Sequence, residues 1–136
     1  MRWLVGDEPC DVLDLAAGTG KLTRALAALG HRVTAVEPLP EMIEHLHAAV
    51  PAVTTIEGTA EAIPVSAGSF DVVTVAQAFH WFDQLVALAE IGRIMRPGGT
   101  LGLIWNTRDE AEPWVAELSE AGARRCSMGS RSQGGR

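Results

Sequence analysis

One feature restricts this chain more than any other: an apolar run that ends in a glycine turn and passes straight into a helical pattern. Asp11–Leu15 (DVLDL) reads as a buried strand, and Ala16-Ala17-Gly18-Thr19-Gly20 as a sharp turn. Lys21–Leu29 then carries Leu22, Ala25, Leu26 and Leu29 at helical spacing and stops at Gly30. The alternation continues. Arg32–Val36 is strand-like and ends at Glu37-Pro38, and Glu41–Val50 is a helix closed by Pro51. Val53–Glu57 is a third strand, Thr59–Ser69 a loop, and Phe70–Val75 (FDVVTV) the strongest strand signal. Gln84–Met95 is an amphipathic helix ended by Arg96-Pro97-Gly98-Gly99, Thr100–Trp105 a fifth strand, and Pro113–Gly122 a last helix. Strands alternating with helices of this length predict βαβ units, a mostly parallel sheet and helices on both faces.

Composition bounds what such a fold can serve. The 136 residues suffice for one domain, and an apolar fraction of 47% supplies its core. A net charge of −6 argues against a phosphate-backbone binder, so no nucleic-acid partner is expected. The longest charge-free apolar stretch, near Val72–Phe82, falls short of the ~20 residues a membrane helix needs, and no secretory segment opens the chain. Cys10 and Cys126 form neither a disulfide framework nor a metal pair, so a soluble, reducing, cytoplasmic setting is expected. Cys10 reads as a buried spectator. Composition changes at Arg124: residues 1–123 hold 7 basic and 17 acidic side chains, a net −10, whereas 124–136 carry four arginines and no acid. The expected division is a domain over 1–123 and a disordered basic tail over 124–136.

The glycine turn and the acid after the second strand carry the chemistry. Glycines at the carboxyl end of a strand let the backbone approach a ligand closely, and open α/β sheets bind ligands at that rim. Glu37, 17 positions after Gly20 at the end of the second strand, can accept hydrogen bonds from both hydroxyls of an adenosine ribose. A dinucleotide fingerprint needs a third glycine where this chain has Thr23. Asp14 beside the turn would also repel a pyrophosphate and welcome an ammonium group. A ligand with ribose, adenine and positive charge, but no phosphate, fits these residues.

The runs DVLDLAAGTG, Glu37-Pro38, Gly58-Thr59-Ala60-Glu61, SFDVVTVAQAFHWF and ALAEIGRIMRPGG resemble the class I S-adenosylmethionine-dependent methyltransferases. The nearest subgroup is the small-molecule enzymes similar to those of ubiquinone biosynthesis and trans-aconitate methylation. The likeness covers roughly residues 10–120, and one departure is Ala16 where the family has the first glycine of its turn. The resemblance implies an α/β, Rossmann-like, doubly wound and mostly parallel sheet, with five of the family's seven strands present. It implies that Ala16, Gly18, Thr19 and Gly20 cradle the amino-acid portion of S-adenosylmethionine, with Asp14 near its ammonium. Glu37 would hold the ribose, and Pro38 and Leu39 would lie along the adenine. Thr59 and Ala60 would meet the adenine edge with Glu61 in support, and Ala76 and Gln77 would line the methionine side.

The implied activity is methyl transfer to a small-molecule acceptor. His80 is the candidate base, because it lies past the fourth strand, with Trp81 and Phe82 against the acceptor or the sulfonium. Alternatively, His80-Trp81-Phe82 caps the following helix onto the sheet. No metal site is expected: His45 and His47, two apart on a helix, share no face, and no third ligand clusters with them. His31, after a helix-ending glycine, is expected to face solvent, and Trp105 and Trp114 to pack in the core or, alternatively, to flank an acceptor pocket.

Two other readings stand beside this one. The chain is short of seven strands and of the helices that usually precede the first, which suggests a non-catalytic, cofactor-binding fragment. An NAD-dependent oxidoreductase is disfavoured by Thr23 and by the absence of tyrosine. A fifth strand at the sheet edge, with unpaired backbone groups, further predicts self-association.

Overall fold

The computed structural model describes residues 2–106. The expected helix over 113–122, Trp114, Cys126 and the tail over 124–136 lie outside the described residues. In chain order the elements are α1 (Arg2–Val5), β1 (Asp11–Leu15), α2 (Lys21–Ala28), β2 (Arg32–Glu37), α3 (Pro40–Ala49) and β3 (Thr54–Glu57). They continue with β4 (Phe70–Ala76), a 3₁₀ turn (Phe79–Trp81), α4 (Gln84–Ile94) and β5 (Met95–Ile104). The five strands form one parallel sheet in the order β3-β2-β1-β4-β5. The chain runs outward from β1 through β2 to β3, then returns to lay β4 against the other side of β1. That reversal leaves a crevice at the carboxyl ends of β1 and β4.

Alternation along the central strands divides the core between the two faces. Val12 and Val72 meet Leu26 of α2 and Leu46 of α3, with Val33 and Ala35 beside them. On the other face Leu13, Leu15, Val73 and Val75 meet Ala87, Ile91 and Ile94, which recur along one side of α4. Strands covered on both faces are apolar at nearly every position, as β1 and β4 are. The stretch between β3 and β4 forms no helix, yet Ala60 and Ile63 are buried against α4. That loop is clamped to α4 through side chains. Glu90 accepts from the Ile63 N–H at 2.8 Å, and Arg93 donates to the Val65 and Ile63 carbonyls at 2.8 Å each. The Arg93 guanidinium beside Glu90 holds that carboxyl down at about 2.

Several local expectations are corrected. Residues 96–99, read as a turn, belong to β5: Met95 pairs with Phe70 and Thr100 with Val72, so the intervening residues bulge out, with Gly98 at φ +80°. The first residues form the single turn α1. Its Leu4 packs directly on Gly102 of β5, where any Cβ would collide with it. His31 does not face solvent. It is 6% exposed, because the chain enters β2 beside the entry to β1, and its Nδ1 lies 3.4 Å from both the Cys10 N–H and the Cys10 Sγ. Burial, with Asp71 and Asp11 nearby, pushes the half-buried Cys10 thiol up. Trp105 is exposed rather than packed in the core.

At the amino ends of the strands, Asp11 accepts from Arg32 at 2.7 Å and Arg96 at 2.9 Å, and Arg96 also pairs with Asp71 at 2.9 Å. Arg32 and then Arg96 hold the Asp11 carboxyl below the usual carboxylate range, and the Asp11 N–H, donated to Asp71 Oδ2 at 3.0 Å, and then Arg96 do the same for Asp71. No described helix is long and apolar enough to cross a membrane.

Leu26→Ala removes a fully buried side chain between α2 and the sheet and is expected to cost about 2–5 kcal/mol in urea denaturation. Leu85→Ala, at a position 84% exposed, should stay within about 0.5 kcal/mol of the parent.

Candidate functional site

The turn between β1 and α2 places three residues in the left-handed region: Ala16 (φ +55°), Gly18 (φ +57°) and Gly20 (φ +85°). The Ala17 N–H donates to the Val36 carbonyl at 3.2 Å, and the Gly20 N–H to the Ala17 carbonyl at 3.0 Å. Gly20 is required twice over, since its φ disfavours a side chain and a Cβ there would run into Leu46 of α3. Ala16 has no such freedom. A non-glycine residue in this region costs about 1–2 kcal/mol, so alanine at this position strains the backbone as well as narrowing the approach. The second non-glycine residue with positive φ is Gln77 (φ +57°), just past β4, where its N–H donates to the Ile104 carbonyl at 2.8 Å. Both strained positions flank the reversal between β1 and β4. Strain of this kind clusters at ligand sites.

Two buried carboxylates stand behind the turn. Glu37, at the end of β2, accepts from the Gly18 N–H at 2.9 Å through Oε2 and from the Leu39 N–H at 3.2 Å through Oε1. A carboxylate offers about four lone-pair sites, so two are taken by backbone and two remain for ligand hydroxyls. Asp14, 1% exposed on β1, receives the Thr23 hydroxyl at 2.6 Å on Oδ2 and the Thr74 hydroxyl at 3.1 Å on Oδ1. Burial pushes its carboxyl up to about 6, the two hydroxyls oppose that rise, and the nearby Glu37 adds to it.

Beside the turn lies a cavity of about 200 Å³ lined by Leu15, Ala16, Pro38, Gly58, Thr59, Ala60, Glu61, Trp81 and Phe82. It brings together Ala16, Pro38, Thr59 and Ala60 from the predicted set. Asp14, Glu37, Gly18 and Gly20 lie outside this lining, at or behind the turn, and Thr19 is exposed on it. Leu39, Gln77 and His80 are exposed, Ala76 is half-buried, and none of the four lines the cavity. His80 sits in the 3₁₀ turn with its ring tilted 5.0 Å from that of Trp81. Trp81 and Phe82 also line this cavity, with Trp81 itself largely exposed. Phe82 makes an edge contact with Phe79 at 5.9 Å. Glu61 accepts from the Asp83 N–H at 2.9 Å and so ties the cavity lining to the start of α4, where the Asp83 carboxylate caps Val86 N–H at 3.4 Å.

The hydroxyls of Thr23 and Thr74 are site groups that sequence reasoning misses. A threonine one turn into a helix, after a strand holding a buried acid, is the available signal. Among the described residues no group of three or more His, Cys, Asp or Glu side chains is placed to hold a metal ion.

Ala16→Gly should relieve the left-handed strain and raise stability by about 0.5–1 kcal/mol in denaturant titrations, the larger chain entropy of glycine offsetting part of the gain. Ala25→Gly, within α2, should lose about 1 kcal/mol in the same measurement.

A family profile described as a methyltransferase domain matches residues 13–103, from within β1 to within β5. An uncharacterized methyltransferase of Mycobacterium tuberculosis (strain ATCC 25618 / H37Rv) is 53% identical over 118 residues, which is 87% of this chain and 49% of that protein. The demethylmenaquinone methyltransferase of Chlorobaculum tepidum is 33% identical over 105 residues, 76% of this chain and 43% of its own length. A solved protein of Anaeromyxobacter dehalogenans, provisionally assigned as a type II methyltransferase, superposes with a TM-score of 0.75 at 32% identity, covering 91% of this chain and 55% of that one. The chain spans about half the length of the curated relatives it matches. With the turn, Glu37, the loop after β3 and β4 all inside the matched span, the chain belongs to the methyltransferase domain family.

Proposed function

We propose that this domain binds S-adenosylmethionine across the carboxyl ends of β1, β2 and β4 and serves methyl transfer to a small-molecule acceptor. The observation that carries the reading is Glu37. Its carboxylate is held by the amides of Gly18 and Leu39 and keeps two lone-pair sites for a ribose. Two further features support it. The cavity beside Glu37 has an apolar wall of Leu15, Pro38, Ala60 and Phe82, suited to a purine face. Asp14 puts negative charge beside the turn where a dinucleotide would bring its pyrophosphate, and that favours a cationic cofactor over NAD.

When bound, the cofactor supplies a sulfonium methyl group open to in-line displacement. The chain's part is to bind, orient and exclude water, and holding two reactants in line is worth up to about 7–11 kcal/mol. Ala16, Gly18, Thr19 and Gly20 would cradle the amino-acid portion, with Asp14 near its ammonium. Pro38 and Leu39 would lie along the adenine, Thr59 and Ala60 would meet its edge, and Ala76 and Gln77 would line the methionine side. His80, exposed past β4, would be the base that takes the proton from a hydroxyl or amine acceptor.

Calorimetric titration should show binding of S-adenosylmethionine and none of NAD, and the opposite result would replace the reading with an oxidoreductase. Glu37→Ala should weaken cofactor binding by about 1–3 kcal/mol, the cost of stranding buried partners. In a transfer assay over a panel of small hydroxyl and amine acceptors, His80→Gln should lower kcat by about 10²–10⁴-fold at unchanged cofactor affinity. An unaltered kcat would assign His80-Trp81-Phe82 to capping α4 instead.

A further inference from the structure

Thr23 and Thr74 are fully buried polar side chains to which the methyl-transfer reading gives no task. They come from different elements, α2 and β4, and converge on the same carboxylate from either side. The Thr23 Oγ1 to Asp14 Oδ2 separation of 2.6 Å falls in the range of a hydroxyl bound to an ionised acceptor, about 2.5–2.7 Å. The Thr74 hydroxyl, 3.1 Å from Asp14 Oδ1, is also 3.5 Å from the Leu13 carbonyl.

The surroundings of Asp14 otherwise oppose its charge. Among the described residues it has no salt-bridge partner. The charged side chain acting on it from β2 is Glu37, of the same sign, and burial acts in the same direction. On α2 the ionisable side chains Lys21 and Arg24 are exposed, and β4 presents the uncharged Thr74. The two hydroxyls, with a smaller contribution from the Thr23 backbone N–H, therefore favour ionisation, at the end of β1 where the turn begins.

We propose that Thr23 and Thr74 are positioning residues that keep Asp14 ionised and oriented toward the ammonium of the cofactor's amino-acid end, and so select the complete cofactor over nucleosides that lack that end. The proposal deepens the assignment of the site to S-adenosylmethionine and rests on it. A carboxylate fixed by two hydroxyls turns with neither rotation nor solvent, so its charge stays aimed. Loss of a hydroxyl leaves the packing of a β-branched side chain in place but removes a donor that only the ionised form needs. The threonine standing where a dinucleotide fingerprint has glycine then gains a positive reason.

The test compares two ligands of the full 136-residue chain by calorimetry between about pH 5 and 8. S-adenosylhomocysteine carries the ammonium, whereas 5′-methylthioadenosine shares the adenosine and sulfur without it. In the parent, affinity for S-adenosylhomocysteine should climb with pH through about 6, where Asp14 ionises, and affinity for methylthioadenosine should stay flat. Thr23→Val with Thr74→Val should move the climb upward by about one unit, weakening S-adenosylhomocysteine about twofold at pH 7 and nearly tenfold at about pH 5, and leaving methylthioadenosine unchanged. Thr23→Ser and Thr74→Ser should restore parental behaviour, and Asp14→Asn should reproduce the selective loss. Carbon-13 NMR titration of the Asp14 carboxyl, with no ligand present, should show the same upward shift in the single valine variants.

Equal weakening of both ligands would overturn the proposal in favour of packing alone, as would an Asp14 titration indifferent to the hydroxyls. A parent protein that binds neither ligand would overturn the cofactor assignment itself, and the NMR titration would still report on the hydroxyls.

Discussion

A parallel sheet obliges the chain to travel the full length of each strand before starting the next, so every strand ends on one rim. In this protein that rule, combined with the reversal from β3 back to β4, gathers the turn at 16–20, Glu37, the loop at 58–61 and the segment after β4. These residues are scattered over more than sixty positions of sequence. They share a neighbourhood because the topology leaves them no other. The side chains at the rim are then set by contacts between adjacent strand ends, of which the Gly18 amide on Glu37 is the clearest.

The two rims of the sheet are built to different standards. At the amino ends, Asp11, Asp71, Arg32 and Arg96 satisfy one another, and their charges remain partly accessible to water. At the carboxyl ends the chain accepts left-handed Ala16 and Gln77 and a buried acid that, among the described residues, has no cationic partner. Each of these is unfavourable for folding by itself. Their concentration on one rim separates the end that secures the sheet from the end that meets ligands. The same asymmetry supports locating function at the carboxyl ends without reference to any relative.

Legibility in the sequence falls with the distance between interacting residues. The strands, the helices and the turn announce themselves through local periodicity and through glycines within a few positions of one another. Glu37 is readable because one fixed spacing, from a turn to the end of the next strand, links it to the site. Thr74 and Asp14, sixty positions apart, meet only because β4 lies beside β1, and no local pattern marks a hydroxyl for a distant carboxylate. His31 shows the same limit in reverse. The glycine before it suggests an exposed turn, yet pairing of β1 with β2 carries it against Cys10. Trp81 and Phe82 stand out in the sequence and do line the cavity, but the 3₁₀ turn at Phe79–Trp81 that brings them there leaves no periodic signal. The bulge at 96–99 is hidden because Pro-Gly-Gly reads equally as an ending.

The contact of Leu4 with Gly102 joins α1 to β5, the first and last described elements, across 98 positions of chain. Such a contact closes a very large loop and can form only after the intervening strands have paired. On a ribosome, α1 is made before β5, so the β5 part of its docking surface is the last to be completed among the described elements. Until Gly102 has emerged, Leu4 lacks that neighbour, although Val12, Leu26 and Val33, in the same apolar cluster as Val5, have already been made.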